Sequence, residues 1–212
     1  MKMTTKTTMA LMTALTVAPA MSTVLAFPGF EGAGPLVDTG NGVGRWNPFS
    51  DGSPGNGFSV SSIAPRSGNE SLRLELANGN GFAGVFQDVP VTAGGEITFS
   101  GWNSLQNGVT GGSEIRIEFR DSVGNVEISR TGNLVPADLN SPTYTEFSLT
   151  DTVPAGADTA RVVYAIQSFG AGTPQVIHVD DTAVSGSGVI PEPTGSVLAA
   201  LGFFGLAMRR RR

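Results

Sequence analysis

The sequence predicts an all-β protein, a two-sheet antiparallel β-sandwich (jelly roll) flanked by an N-terminal signal helix and a short C-terminal apolar helix. Apolar and polar residues alternate with a period of two in short runs, and turn-forming Gly, Asn, Asp and Pro residues separate those runs. Between the two chain ends no window shows the 3.6-residue period of a helix. The roughly 160 residues between the ends are enough for one domain.

Three segments carry the clearest alternation. Residues 71–76 place three leucines on one face, residues 113–120 oppose apolar side chains to a row of four charged ones, and residues 161–166 put Tyr164 on the apolar face. This pattern is typical of antiparallel strands with one buried and one exposed face. Further strands are predicted at residues 58–61, 82–89, 96–102, 125–130, 143–149 and 175–184.

Charge and cysteine content exclude several classes of function. Residues 27–189 contain seven arginines, no lysine and seventeen acidic residues, which gives a net charge of −10. A domain this acidic repels nucleic acid and anionic lipid surfaces. The chain has no cysteine, so the sequence excludes a disulfide framework and a thiolate metal site.

Residues 1–26 have the three parts of a secretory signal peptide. A lysine-containing start without acidic residues precedes an apolar stretch at 9–17, and small or apolar residues follow up to Ala26. Signal peptidase requires small side chains at the cut, so we expect cleavage after Ala26, with Ala20 as the second choice. A buried N-terminal helix is the alternative, but it does not explain why a cationic start and a small-residue end occur together.

The C-terminal residues 191–212 have a separate organisation. In order, they comprise Pro191, Glu192, Pro193, an uncharged run of 14 residues at 195–208, and the cluster Arg209, Arg210, Arg211 and Arg212. The prolines favour an extended backbone, and the arginines favour the cytoplasmic side of a membrane. The apolar run is shorter than the roughly 17–25 residues of a comfortable membrane span. Residues 185–190, which precede this tail, are rich in Ser and Gly and are predicted to be a flexible linker.

The ordered tail resembles the PEP-CTERM sorting signal. In that family the tail holds the exported protein in the membrane until an exosortase removes it at the Pro-Glu-Pro site. The resemblance implies processing by signal peptidase and exosortase, transient insertion in the inner membrane, and a final location at the cell surface or in the extracellular matrix. A permanent C-terminal anchor is the alternative, for which the apolar run is short.

Residues 27–184 show a second resemblance. Gly-Phe-Glu at 29–31, Gly-Arg-Trp at 44–46, a Gly-x-x-Ser-Leu-x-Leu strand at 68–74 and Asp-Asp at 180–181 occur in the order found in carbohydrate-binding-module-like jelly rolls of the galactose-binding-like group. Pro28 stands where Asn is usual in that family's opening motif.

This second resemblance implies a structural Ca²⁺ that joins the first and last strands. Its ligands would be Glu31 and Asp180 or Asp181, since carboxylate and carbonyl oxygens suit Ca²⁺. Strand alternation places the two aspartates on opposite faces, and Asp180 is the favoured ligand. The alternative is that these carboxylates are solvated or cap turns.

The resemblance also implies a sugar site made of aromatic and polar side chains. The candidates are Trp46 and Trp102, together with Arg116 and Glu118 from the charged row of residues 113–120. Each Trp is more often a core residue, and the charged row is more often a cross-strand charge ladder that keeps the sheet soluble.

The sequence does not favour an enzyme. His178 shares a strand face with Asp180, but no nucleophile elbow accompanies them. Glu114 and Glu118 lie about 13 Å apart along one strand, beyond the separation of paired glycosidase carboxylates. We therefore expect a non-catalytic module that binds extracellular polysaccharide. A structural matrix or surface protein without sugar specificity is the alternative, and a hydrolase is less favoured.

Overall fold

The computed structural model describes residues 24–107, 112–133, 141–170 and 172–190, which form two antiparallel β-sheets. The described strands are β1 (Asn47–Ser50), β2 (Gly57–Ser61), β3 (Ser71–Leu76), β4 (Gly81–Pro90), β5 (Glu96–Asn107), β6 (Gly112–Asp121), β7 (Val126–Arg130), β8 (Thr145–Thr152), β9 (Thr159–Ser168) and β10 (Gln175–Ser185).

The chain crosses repeatedly between the two sheets. Sheet A has the strand order β1-β4-β9-β6-β7, and sheet B has the order β2-β3-β10-β5-β8. From β3 to β6 each connection passes from one sheet to the other, as it also does from β7 to β10. The predicted two-sheet antiparallel sandwich is confirmed.

The inward faces of the two sheets make one hydrophobic core. The three leucines of β3 are fully buried, and so are Ile115 and Ile117 of β6. At the centre Phe147 lies 5.3 Å from both Phe99 and Tyr164, measured between ring centroids. Alternation along β3 and β6 therefore selects the buried face as predicted, and each such side chain contributes about 1.5–3 kcal/mol on burial.

Two strands show the largest differences from the prediction. Strand β1 is absent from the predicted set, because Asn-Pro-Phe-Ser contains a proline and shows little alternation. Among the described strands β1 pairs with β4 alone, and an edge strand tolerates a residue that lacks an N–H donor. Strand β5 continues to Asn107, five residues beyond its predicted end at 102.

The segment predicted to be a flexible linker is instead fixed to the sandwich. Gly188 donates its N–H to Glu96 O at 2.8 Å and accepts from Thr92 N at 2.7 Å. Ile190 N donates to Pro90 O at 3.1 Å. The linker prediction for residues 185–190 is therefore wrong, because their backbone groups pair with the β4–β5 turn instead of with water.

The close approach of two glycines allows this pairing. A Cβ atom on Gly95 would lie 2.3 Å from Gly188 Cα, so neither backbone could stay in place. We expect Gly95→Ala to lower the free energy of unfolding by about 1–3 kcal/mol. Gly57→Ala is the matched control, since a Cβ there meets nothing within 4 Å. Urea denaturation of the two variants measures the difference, and equal effects would contradict the close packing.

Candidate functional site

A bulge in β10 brings together the carboxylates that the sequence placed on opposite faces. The register against β5 shifts between Asp180 and Ala183, and Asp181 has a positive φ of 46°. A Cβ on Gly29 would lie 3.5 Å from Asp180 Oδ1 and 3.7 Å from Asp181 Oδ1. The opposite-face prediction is therefore wrong, because a bulge interrupts the strand alternation.

The grouped carboxylates are held by hydrogen bonds to a loop. The buried Asp180 carboxylate accepts from the backbone N–H groups of Arg66 at 2.8 Å and Ser67 at 3.1 Å. Asp181 accepts from the Ser67 hydroxyl and pairs with the Arg66 guanidinium. Burial raises the pKa of Asp180, and its backbone donors partly oppose this rise.

Glu31 ties the N-terminal segment to the same loop. Its Oε1 accepts from Asn69 N at 2.7 Å and Glu70 N at 2.8 Å, while Glu70 Oε2 accepts from Gly32 N at 2.7 Å. In the described part of the chain, no group of three His, Asp or Glu side chains is placed to hold a metal ion. Calcium at Glu31, Asp180 and Asp181 therefore stays a prediction.

The two tryptophans lie in different environments. Trp46 is 2% exposed, stacks on Phe30 with ring centroids 5.3 Å apart, and donates to Phe27 O at 3.1 Å. It belongs to the core, which was the alternative to a sugar platform. Trp102 is partly buried on the outer face of sheet B, where the Arg66 guanidinium lies 3.9 Å from its ring centroid.

Loops close the part of sheet B next to Trp102. Tyr144 donates its hydroxyl to Ala64 O at 2.6 Å, which joins the segment after the β2 strand to the one before β8. Burial raises the pKa of Tyr144 to about 12. Ser104 donates to Pro142 O at 2.9 Å beneath these loops. Next to Trp102 the outer face of sheet B is therefore covered by loops and is not an open surface for a ligand.

His178 is buried under these loops and is not exposed as a base. In the neutral ring Nε2 donates to Gln106 Oε1 at 2.7 Å, and Nδ1 accepts from Ser71 Oγ at 3.2 Å. Burial, and secondarily the charge of Arg73, lowers the pKa of His178 to about 4. The ring is therefore a packed, hydrogen-bonded histidine.

The outer face of sheet A presents the charged row of β6. Arg116 bridges Glu114 at 2.8 Å and Glu118 at 2.9 Å, and Arg120 pairs with Glu118 at 2.8 Å. These ion pairs run along the strand between residues two apart, not across strands as predicted. One weaker contact, 3.6 Å between Arg120 and Glu127, reaches β7. The predicted ladder of ion pairs is present, but it runs along β6 instead of across strands.

An aromatic strip lies beside this row on the same face. The β4 and β1 strands supply Phe82, Phe86 and Phe49, and Phe49 lies 6.3 Å from each of the other two rings. Phe82 is 39% exposed. Gly84 leaves room for the strip, since a Cβ there would lie 2.6 Å from the Phe49 ring. The sequence offered one signal of this strip, the repeated Phe of β4 at positions two and six of the strand.

The charged row and the aromatic strip meet at Arg161. This β9 side chain donates to both oxygens of Asp88, at 2.7 and 2.9 Å, and its guanidinium lies 3.9 Å above the Phe86 ring. A groove of about 340 Å³ opens here, with Asn41, Asn125, Ser122 and Arg120 among its other lining residues. This volume lies at the lower end of the range for small-molecule sites.

The proposed sorting residues lie outside the described part of the chain. They are Pro191, Glu192, Pro193, Arg209, Arg210, Arg211 and Arg212. Within residues 24–107, 112–133, 141–170 and 172–190, no helix has the length and apolar character needed to cross a membrane.

Comparison with known proteins identifies the fold. No protein-family model and no curated protein matches the sequence. The chain is similar to arabinose-bound MgGH51 α-L-arabinofuranosidase, with a TM-score of 0.56 and 14% identity over 81% of this chain and 28% of that one. It is also similar to the enzymatically active domain of bacteriophage CBA120 tailspike protein 4, with a TM-score of 0.55 and 19% identity over 74% and 21%.

A third similar structure contains the CBM22-1 and GH10 modules of Clostridium thermocellum xylanase 10B in complex with xylohexaose. Its TM-score is 0.52, with 14% identity over 79% of this chain and 28% of that one. The chain thus spans less than a third of each of these three structures. Carbohydrate-binding modules match as well, at TM-scores of 0.46 to 0.49. The similarity to the first three structures establishes a shared jelly-roll fold. Any inference about a ligand has to come from the residues of this chain.

The buried histidine predicts a pH dependence of stability. The pKa of histidine is near 6.5 in an unfolded chain and about 4 for the folded His178 ring. As the pH falls, the unfolded state therefore binds a proton at a higher pH than the folded state does. The contribution of His178 to the free energy of unfolding is therefore complete above pH 6.5, and about 2 kcal/mol of that free energy is lost between pH 7 and pH 5. Urea denaturation at both values measures the loss. His178→Gln should abolish this difference, and an equal loss in that variant would assign it to other groups.

Calcium at the N-terminal carboxylates is tested by thermal unfolding. If the ion binds Glu31 and Asp180, EDTA lowers the melting temperature of the wild-type protein and added Ca²⁺ restores it. Glu31→Gln should remove that response. An unchanged melting temperature in EDTA would show that hydrogen bonds alone connect the first and last segments.

Proposed function

We propose that this protein is an exported, non-catalytic module that binds neutral glycans in the groove on the outer face of sheet A. The observation that carries the proposal is the Arg161–Asp88 pair stacked on Phe86, at the junction of an aromatic strip and a polar groove. This arrangement lies on an outer sheet face, where a polymer can approach from solvent.

The chemistry of the groove matches that of a sugar. A pyranose ring has an apolar C–H face and a rim of hydroxyls that both donate and accept hydrogen bonds. In the groove Asp88 accepts and Arg161, Asn41 and Asn125 donate. Outside the groove, further along the same sheet face, the partly exposed Phe82 and Phe49 rings offer an apolar surface to a longer chain. A volume near 340 Å³ accommodates one or two sugar residues of a longer chain.

The charge distribution favours a neutral ligand. Residues 27–189 carry a net charge of −10, which repels acidic polymers. The outer face of sheet A is locally balanced, because each of its arginines has a carboxylate partner. These pairs are Arg116–Glu114, Arg120–Glu118, Arg130–Glu127 and Arg161–Asp88. Neutral hydroxyl groups can therefore bind to this face without meeting a net charge.

The same contacts favour binding over hydrolysis. Glu114 and Glu118 both accept hydrogen bonds from Arg116, and Asp88 accepts two from Arg161. Glycoside hydrolysis needs one carboxylic acid that can give its proton to the leaving group. Carboxylates that are paired with guanidinium groups are better suited to accept hydrogen bonds from sugar hydroxyls.

Export and sorting complete the proposal. The features that support them are the leader-like residues 1–26 and the Pro-Glu-Pro, apolar and arginine parts of residues 191–212. Signal peptidase would remove the N-terminal leader and an exosortase the C-terminal tail, after transient insertion of the tail in the inner membrane. The glycan-binding domain would then remain at the cell surface or in the exopolysaccharide matrix.

Two matched arginine variants test the glycan site. Arg161→Gln removes the stacked pair in the groove, and Arg73→Gln removes a comparable ion pair with Glu75 on the outer face of sheet B. Against a panel of neutral and acidic polysaccharides that includes xylan and arabinan, we expect Arg161→Gln to weaken binding by about 10–100-fold and Arg73→Gln to leave it unchanged.

The other outcomes are distinct. Loss of binding in Trp102→Ala but not in Arg161→Gln would move the site to sheet B. Binding to acidic polymers alone would contradict the charge argument. Wild-type protein that binds no polysaccharide would leave a structural matrix protein as the better account.

A further inference from the structure

Residues expected to belong to the leader are built into the core. Leu25 is only 2% exposed and packs in the main hydrophobic cluster, and Val24 packs against that cluster. Cleavage after Ala26 would remove both side chains from the finished domain. A buried leucine contributes strongly to a packed core, and the space it leaves does not fully close.

The buried side chain of Gln87 in β4 also depends on a residue of this segment, Ala26. Gln87 is 1% exposed and is paired with Val162, a core residue of β9, so its amide faces the interior. Its Oε1 accepts from Ala26 N at 2.7 Å and its Nε2 donates to Ala26 O at 3.1 Å. Without residue 26, both ends of a buried amide would lose their partners, which is costly inside a protein.

We propose that signal peptidase cuts after Ala20, so that the mature protein begins at Met21 and keeps Leu25 and Ala26. This inference rests on the proposed export of the chain. Ala18-Pro19-Ala20 places alanine at both positions that signal peptidase reads. The cut after Ala26 would instead place the larger Val24 at the outer of these two positions.

The proposal also explains why an amide occurs at an inward position of β4. Strand alternation predicts an apolar side chain at Gln87, between Val85 and Val89, which both face the core. Gln87 is compatible with the interior because the backbone of residue 26 supplies one donor and one acceptor. The retained segment is therefore part of the folded domain and not a remnant of the leader.

The mature N-terminus is measured directly. The full chain is expressed in a bacterium with its own signal peptidase, and the N-terminal peptide of the exported product is identified by mass spectrometry. We expect Met21. A product that begins at Phe27 would overturn this inference and leave export intact, whereas a product that retains residue 1 would overturn the leader itself.

Paired variants test the cut independently of folding, because cleavage accompanies export. Ala20→Leu should accumulate uncleaved precursor, since a bulky residue at the cut blocks the peptidase. Ala26→Leu should be processed as the wild type is. The reverse result would place the cut after Ala26 and overturn the inference.

Thermal stability gives a third readout. Leu25→Ala should lower the melting temperature of the exported protein by about 5–10 °C, because a cavity remains in the core. Leu11→Ala is the control, since residue 11 lies in the leader under either cut and should cause no change. An unchanged melting temperature for Leu25→Ala would show that residue 25 is absent from the mature protein.

Discussion

The buried carboxylate of Asp180 determines how the two outer faces of the sandwich differ. A carboxylate in the interior is unfavourable unless donors surround it, and the N–H groups of Arg66, Ser67 and Asp181 provide them. To reach Asp180, the loop that contains Arg66 and Ser67 has to lie across the end of sheet B. Tyr144 then joins this loop to the segment before β8, and His178 is buried beneath them. Sheet B is thereby partly closed, and sheet A keeps the more open face.

The open face in turn needs its own stabilisation, because no other layer of described residues covers it. Val163 and Ala165 are each 1% exposed although they point away from the core. Phe49 and Phe86 cover them from one side. The flat ion pairs around Arg116 border them on the other, with Arg116 directly opposite Val163 in the register. Arg161 connects this cluster to the proposed sugar site, because its guanidinium lies over the Phe86 ring and its side chain also lines the groove.

Much of this architecture could be predicted from local pattern. Alternation along β3 and β6 identified the buried leucines and isoleucines, because a strand with one wet face repeats every two residues. The pattern failed where a single residue departs from the regular strand. A positive φ at Asp181 brought two aspartates to one side, and the inward Gln87 has its partner 61 residues away in sequence. The aromatic strip depends on the pairing of β1 with β4, and a short edge strand containing proline gives little local signal. These features are set by contacts between distant segments, which the pattern of one segment does not contain.

Both ends of the described chain meet the same stretch of β4. Ala26 hydrogen-bonds to Gln87, and Ile190 hydrogen-bonds to Pro90, three residues further along. Three residues of extended strand span about 10 Å, so the two ends of the described chain leave the domain at neighbouring positions. Asp88, which lines the groove, lies between these two contacts on the same strand. The groove and both ends of the described chain therefore share one end of the sandwich. Under the proposed sorting, a tail held in the membrane would keep the groove close to the bilayer. For that reason, glycan binding has to be compared between protein that retains its tail and protein that has lost it.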